Sequence, residues 1–213
     1  MLEIFLMSLI MGFSGAIMPG PLLTVTINES LHRGAKAGPL IVLGHAILEL
    51  VLVLAIFFGL GSALTTPGVK GTIGLVGGGF LIWMAYGILK EALNQASLNL
   101  NGNSQVQRLN PIIAGITVSA SNPYWSLWWA TAGAGSLLLS AKAGVFGALS
   151  FYLGHILSDF LWYTGVSCAI AKSKTFFTAR VYQVVLGFCG LFLIGLAGYF
   201  IYSGIRFWFG PVA

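Results

Sequence analysis

Charge is what this chain lacks most. Only 7% of its 213 residues are Asp, Glu, Lys or Arg, against about 25% in an ordinary soluble domain, which excludes a water-soluble globule. The ten basic residues are scattered over short loops without forming a stripe, so the net positive charge reads as a topology signal, with no nucleic-acid partner. Cysteine is nearly absent: Cys168 and Cys189 lie in separate apolar segments, form no CxxC pair and read as inert core thiols. Neither an HExxH motif nor a serine elbow occurs, so the chain is expected to be no enzyme and to need no cofactor. Long polar stretches are missing too, apart from "NQASLNLNGNSQVQRLN" at 94–110.

What fills the space is apolar sequence, 57% of the chain. Six runs of bilayer-spanning length follow one another, roughly Ile4 to Ile27, Pro39 to Leu64, Val69 to Leu89, Pro111 to Leu139, Ala143 to Ala171 and Ala179 to Phe209. The first is too long for a removable signal peptide, has no basic n-region and carries Glu3 early. A lipid-exposed backbone must satisfy its own hydrogen bonds, so the expected fold is all-α, a polytopic membrane protein of six transmembrane helices. Residues 1–93 form a first three-helix repeat, 94–110 a polar linker and 111–213 a second three-helix repeat. Arg33, Lys36, Lys90, Arg108, Lys172, Lys174 and Arg180 fall in or beside the first, third and fifth loops, and Lys70, Lys142 and Arg206 on the other side. This imbalance puts the odd loops in the cytoplasm and both termini outside. Glycine is abundant at 29 residues. Gly74 and Gly78 make a small-xxx-small face, read as lipid-facing and available to a homo-oligomer. Trp125, Trp128, Trp129 and Trp208 suit interfacial belts, although the first three could equally line a cavity.

Two short patterns repeat. "GHAILE" at Gly44 to Glu49 matches "GHILSD" at Gly154 to Asp159, and each is preceded one span earlier by a proline-centred break: "MPGPLL" at Met18 to Leu23 and "SNPYWS" at Ser121 to Ser126. Three spans per half make the two halves opposite in orientation. Inverted repeats with interrupted helices in corresponding positions point to a secondary transporter whose site lies at mid-depth between the halves. Pro19, Gly20 and Pro21, with Asn122 and Pro123, are therefore the candidate substrate-binding residues: proline removes a donor and frees backbone groups, and the Asn122 amide adds a donor and an acceptor. A plain packing kink is the competing explanation of each break.

Of five carboxylates, Glu3, Glu29 and Glu91 can reach an interface, whereas Glu49 and Asp159 sit deep in their spans. A charge at the centre of a membrane helix costs on the order of 2.5–3.5 kcal/mol on insertion scales, so both should face the bundle interior. His45 and Glu49, like His155 and Asp159, share one helix face at i and i+4. These four are the candidates for proton or ion coupling. Two other uses stay open. Each pair could be a buried polar staple, or the four could ligate a metal or inorganic ion, which requires all of them to converge on a common point.

At these residues the chain resembles the LysE family of amino-acid exporters. The similarity runs through "GAIMPGPLLTVTINESLHRGAKAG" at Gly15 to Gly38, "GLVGGGFLIWMAYGILK" at Gly74 to Lys90 and "SNPYWSLWWATAG" at Ser121 to Gly133. The resemblance implies a six-helix inner-membrane exporter of amino acids or related small metabolites, working as a proton or cation antiporter, and places weight on Pro19, Gly20, Pro21, Asn122 and Pro123. Tyr124 stands where many members carry lysine, so the substrates of the basic amino-acid and homoserine exporters do not carry over. The alternative function is a metal or inorganic ion permease that uses the intramembrane histidines and carboxylates.

Overall fold

The computed structural model describes residues 1–60, 66–93, 110–173 and 179–209. The linker expected at 94–110 lies outside them apart from Asn110, as do Arg108 and Lys174. The described residues form α1 (Leu2–Ala16), α2 (Pro21–Arg33), α3 (Ala37–Ala55), α4 (Pro67–Leu93), α5 (Pro111–Ala120), α6 (Pro123–Trp128), α7 (Ala134–Ala141), α8 (Gly144–Lys172) and α9 (Ala179–Phe209). A 3-10 turn at Gly34–Lys36 joins α2 to α3, and wide π turns follow α3 at Ile56–Leu60 and link α6 to α7 at Trp129–Gly133. There is no strand among the described residues.

Proline and asparagine set the starts. Pro21, Pro111 and Pro123 each occupy a first helical position, where the missing N–H would have had no intrahelical partner. Asn110 Oδ1 accepts the Ile112 N–H at 2.9 Å and Asn122 Oδ1 accepts the Tyr124 N–H at 3.1 Å, capping α5 and α6. Both breaks expected from the sequence are present: α1 stops at Ala16 and α2 starts at Pro21, while α5 stops at Ala120 and α6 starts at Pro123. The α2–α3 junction turns at Gly34, whose φ of 72° lies in the left-handed region open to glycine.

Among the described residues, four helical segments are long and apolar enough to cross a membrane: Pro21–Gly59, Pro67–Lys90, Gly144–Lys172 and Gln183–Phe209. The helices Leu2–Ala16 and Pro111–Ala120 are apolar but shorter. Side chains are distributed as lipid demands. Ile10, Val51, Val76, Trp83, Phe188 and Leu191 are exposed, whereas Ser8, Thr26, His45, Glu49, Ser119, His155, Ser158 and Asp159 are buried. Polar groups inside and large apolar groups outside reverse the pattern of a soluble domain.

Packing is organised by close approaches at glycine. α1 runs along α8, α5 lies against α3, and α4 runs along α9. A Cβ at Gly154 would collide with the Phe5 carbonyl of α1, and one at Gly44 with the Ile112 carbonyl of α5. The glycine of each repeated pattern thus admits the backbone of a helix from the other half of the sequence. One sequence expectation needs correction. The Gly74/Gly78 face is not lipid-facing: a Cβ at Gly74 would sit 2.7 Å from Gly204 Cα and one at Gly78 2.6 Å from Ile201, so α9 of the same chain already occupies it. Glu29 is buried and its carboxylate accepts from Arg33 Nε at 2.6 Å, one turn along the same helix.

Candidate functional site

The two His/acid patterns were expected to pair within their own helices. Each does, but each also pairs across. Within helices, His45 Nε2 is 3.2 Å from Glu49 Oε1 and His155 Nε2 is 3.7 Å from Asp159 Oδ2. Between α3 and α8, His155 Nε2 is 3.1 Å from Glu49 Oε2 and His45 Nε2 is 3.7 Å from Asp159 Oδ2. Every imidazole therefore faces both carboxylates. The ligand-capable atoms of all four residues lie within 4.8 Å of one another, and none of the four residues is more than 5% exposed. This is the convergence on which ion ligation depends.

The two carboxylates are held differently. Glu49 Oε1 accepts the indole N–H groups of Trp125 at 2.9 Å and Trp129 at 2.8 Å. Asp159 Oδ2 and Glu49 Oε2 are buried and accept no hydrogen bond among the described residues, their imidazole contacts being ion-pair approaches. The imidazoles differ as well. His45 Nδ1 is 2.7 Å from Ser119 Oγ, whereas His155 Nδ1 is buried without a partner. The His155 ring stacks on Trp128 with centroids 4.5 Å apart and meets Trp129 edge-on at 5.7 Å.

The tryptophans come to this place through the second break. The π turn at Trp129–Gly133 follows Pro123–Trp128 directly, and Trp125 and Trp129, four residues apart, reach the same oxygen of Glu49. Gly133 leaves room for them, since a Cβ there would press on both Trp128 and Trp129. The sequence placed Trp125, Trp128 and Trp129 at an interface or along a cavity; Trp125 and Trp128 line a cavity beside the cluster, and Trp129 is buried. The role of Trp125 and Trp129 as donors to Glu49 was missed, because no periodicity reveals which way an indole N–H points. Ser119 was missed for the same reason.

A cavity of about 50 Å³ adjoins the cluster, lined by Met18, Ser119, Asn122, Tyr124 and Tyr163 together with the four titratable residues. Of the five candidate substrate-binding residues only Asn122 lines it. Pro19 and Gly20 lie in the first break; Pro21 borders a separate groove with Phe80 and Trp83, and Pro123 another with Gly77 and Phe80. The Gly20 carbonyl accepts the Thr24 N–H at 3.1 Å, and the Asn122 side chain caps α6 as described. Tyr124 Oη donates to the Ser14 carbonyl at 3.4 Å, tying the second break to α1.

The sequence as a whole matches known proteins along most of its length. The family described as LysE type translocator matches residues 13–204. The chain is 27% identical to the chemotactic transduction protein ChpE of Pseudomonas aeruginosa, over 93% of this chain and 97% of that one. It is 24% identical to YcgF of Bacillus subtilis, provisionally named an amino acid efflux protein, over 96% and 98%. It is 28% identical to the arginine exporter protein ArgO of Klebsiella pneumoniae, over 88% and 89%. No solved structure matches.

Proposed function

Because this chain belongs to the LysE type translocator family, we propose that it is a secondary active exporter of amino acids or related small metabolites, coupled to protons or cations, in the cytoplasmic membrane. The observation that carries this reading is the meeting of His45, Glu49, His155 and Asp159 in one buried cluster beside the cavity that Met18 and Asn122 of the two breaks help to line. Titratable groups are costly at membrane depth and are retained there for pathways and relays. Relatives named for amino acid efflux and arginine export supply the substrate class.

The transport unit in this reading is two inverted three-helix halves of a six-span chain, α1–α2 and α5–α7 being the broken first and fourth spans. A two-fold axis exchanging the halves maps the α1–α8 contact onto the α5–α3 contact, in keeping with the matched approaches at Gly154 and Gly44. Both termini lie outside. Substrate enters between the breaks as the halves rock apart. Backbone groups freed at Pro19–Pro21 and at Asn122–Pro123 hold its carboxylate and ammonium, N-terminal helix ends favouring the anion and C-terminal ends the cation.

Coupling divides between the carboxylates. Glu49 is fixed by two indole donors and two imidazoles, and serves as the standing anion of the cluster. Asp159, with an unengaged oxygen facing both imidazoles, takes up and releases the proton. Tyr163 and Tyr124 are the other titratable side chains on this cavity. Counterflow of a panel of labelled amino acids into proteoliposomes, with and without a pH gradient, tests the reading. Transport of at least one of them, faster with protons available for exchange, is expected; no amino-acid flux and no proton coupling across a broad panel would sink it.

A further inference from the structure

The same four side chains carry a second kind of occupant. A four-coordinate first-row metal ion sits about 2.0–2.2 Å from nitrogen and oxygen ligands, and a tetrahedron of that radius has edges of about 3.3–3.6 Å. His45 Nε2 lies 3.2 Å from Glu49 Oε1, His155 Nε2 lies 3.1 Å from Glu49 Oε2, and both lie 3.7 Å from Asp159 Oδ2, distances that straddle that range; with one ligand atom from each residue, no pair is more than 4.8 Å apart. We propose that His45, Glu49, His155 and Asp159 form a binding site for one divalent first-row transition-metal cation, with Zn²⁺ the best match.

Three further observations agree on this occupant. First, charge: with neutral imidazoles the two buried carboxylates amount to −2, which a divalent ion cancels, and an uncompensated charge at this depth is expensive. Second, lone pairs: Glu49 Oε2 and Asp159 Oδ2, each in a residue at least 96% buried, are without hydrogen-bond partners among the described residues; Oδ2 faces both imidazole Nε2 atoms and Oε2 faces that of His155. Third, the supporting contacts are those that orient metal ligands. The Ser119 hydroxyl sits 2.7 Å from His45 Nδ1; by accepting the Nδ1 proton it leaves the Nε2 lone pair to the cluster centre. Trp125 and Trp129 both donate to Glu49 Oε1, which leaves Oε2, 3.1 Å from His155 Nε2, as the oxygen without a hydrogen bond. Two nitrogen donors select against Mg²⁺ and Ca²⁺, which prefer all-oxygen shells of six or more. The adjoining cavity of about 50 Å³ admits an ion with a few waters, each needing about 10–15 Å³.

Metal and proton compete for the same lone pairs, so occupancy by the cation suspends proton exchange and ties α3 to α8. The site stands on geometry alone and does not depend on the exporter reading. To test it, the full chain is purified in detergent, stripped with chelator and titrated with Co²⁺, whose visible absorption is intense in tetrahedral and weak in octahedral coordination. Expected are one Co²⁺ per chain with the intense spectrum, displacement by Zn²⁺, and unchanged binding in His32→Ala, which alters the half-buried histidine outside the cluster. Affinity should fall more than tenfold in His45→Ala and Asp159→Asn, and about tenfold in Ser119→Ala, with helix content and size-exclusion profile checked for each. If Ser119→Ala and Asp159→Asn stay folded and bind as the parent does, or if the parent takes up no Co²⁺ or gives only the weak spectrum, the proposal is overturned. Amino-acid counterflow by the same chelator-stripped preparation reads the exporter function separately: metal binding without counterflow overturns that function and supports this site, and counterflow without metal binding does the reverse.

Discussion

Replacing Glu49 by Gln keeps the size of the side chain and removes its charge, and the structure says what this costs. Two indole N–H groups, from Trp125 and Trp129, converge on Glu49 Oε1 at 2.9 and 2.8 Å. Hydrogen bonds to a charged group contribute about 1.5–3 kcal/mol and neutral ones about 0.5–1.5, so each bond loses roughly 1 kcal/mol and the pair about 2 kcal/mol. For a chain of 150–250 residues a change of 1 kcal/mol moves the melting temperature by about 2–4 °C, so Glu49→Gln should lower it by about 4–8 °C. Asp159→Asn is the internal comparison. Asp159 Oδ2 accepts no hydrogen bond and its imidazole contacts lie at 3.7 Å, so its loss should be less than half as large. Thermal unfolding of detergent-purified parent and variants at one scan rate, followed by circular dichroism, reads the difference. A double-mutant cycle with Trp129→Phe should be non-additive, since both changes act on one bond. Equal losses in the two carboxylate variants, or no loss in Glu49→Gln, would refute the assignment of Glu49 as the fixed member of the cluster.

The other expectations follow from the same geometry. Asp159→Asn should abolish stimulation of transport by a pH gradient while the protein remains inserted and folded; unaltered pH dependence in both Asp159→Asn and Glu49→Gln would return the cluster to a structural staple. Gly154→Val should push α1 away from α8, because even a Cβ meets the Phe5 carbonyl, and should reduce the folded yield by size-exclusion chromatography, whereas Gly79→Ala, with nothing within 4 Å of its Cβ, should leave it unchanged. Gly74→Leu should disrupt the α4–α9 packing inside one chain, measured as loss of monomer stability instead of a shift in oligomeric state. Reporter fusions at either end should place both termini outside.

Much of the site was legible in the sequence because its signals are local. A carboxylate deep in an apolar run has to face inward, and proline at a helix interior has to break it; Glu49, Asp159 and both breaks followed from those two facts, and His45 and His155 from their i, i+4 spacing to the carboxylates. The crossing of the pairs did not follow. It depends on α3 and α8 lying side by side, with α5 and α1 seated on them at Gly44 and Gly154, and a close approach at glycine does not name the helix that makes it. The same ambiguity sent the Gly74/Gly78 face outward in the sequence reading, when α9 covers it. Glu29 was expected to reach an interface from its position along the span, and its burial beside Arg33 is a matter of how α2 packs.

The two copies of the pattern differ in their surroundings. α3 and α8 each supply one imidazole and one carboxylate, in the same order and at the same spacing, so composition and spacing alone make the two sides of the cluster interchangeable. The indoles on Glu49 and the hydroxyl on His45 have no counterpart on Asp159 Oδ2 and His155 Nδ1 among the described residues, so the asymmetry that singles out one carboxylate comes from α5, α6 and the π turn after it.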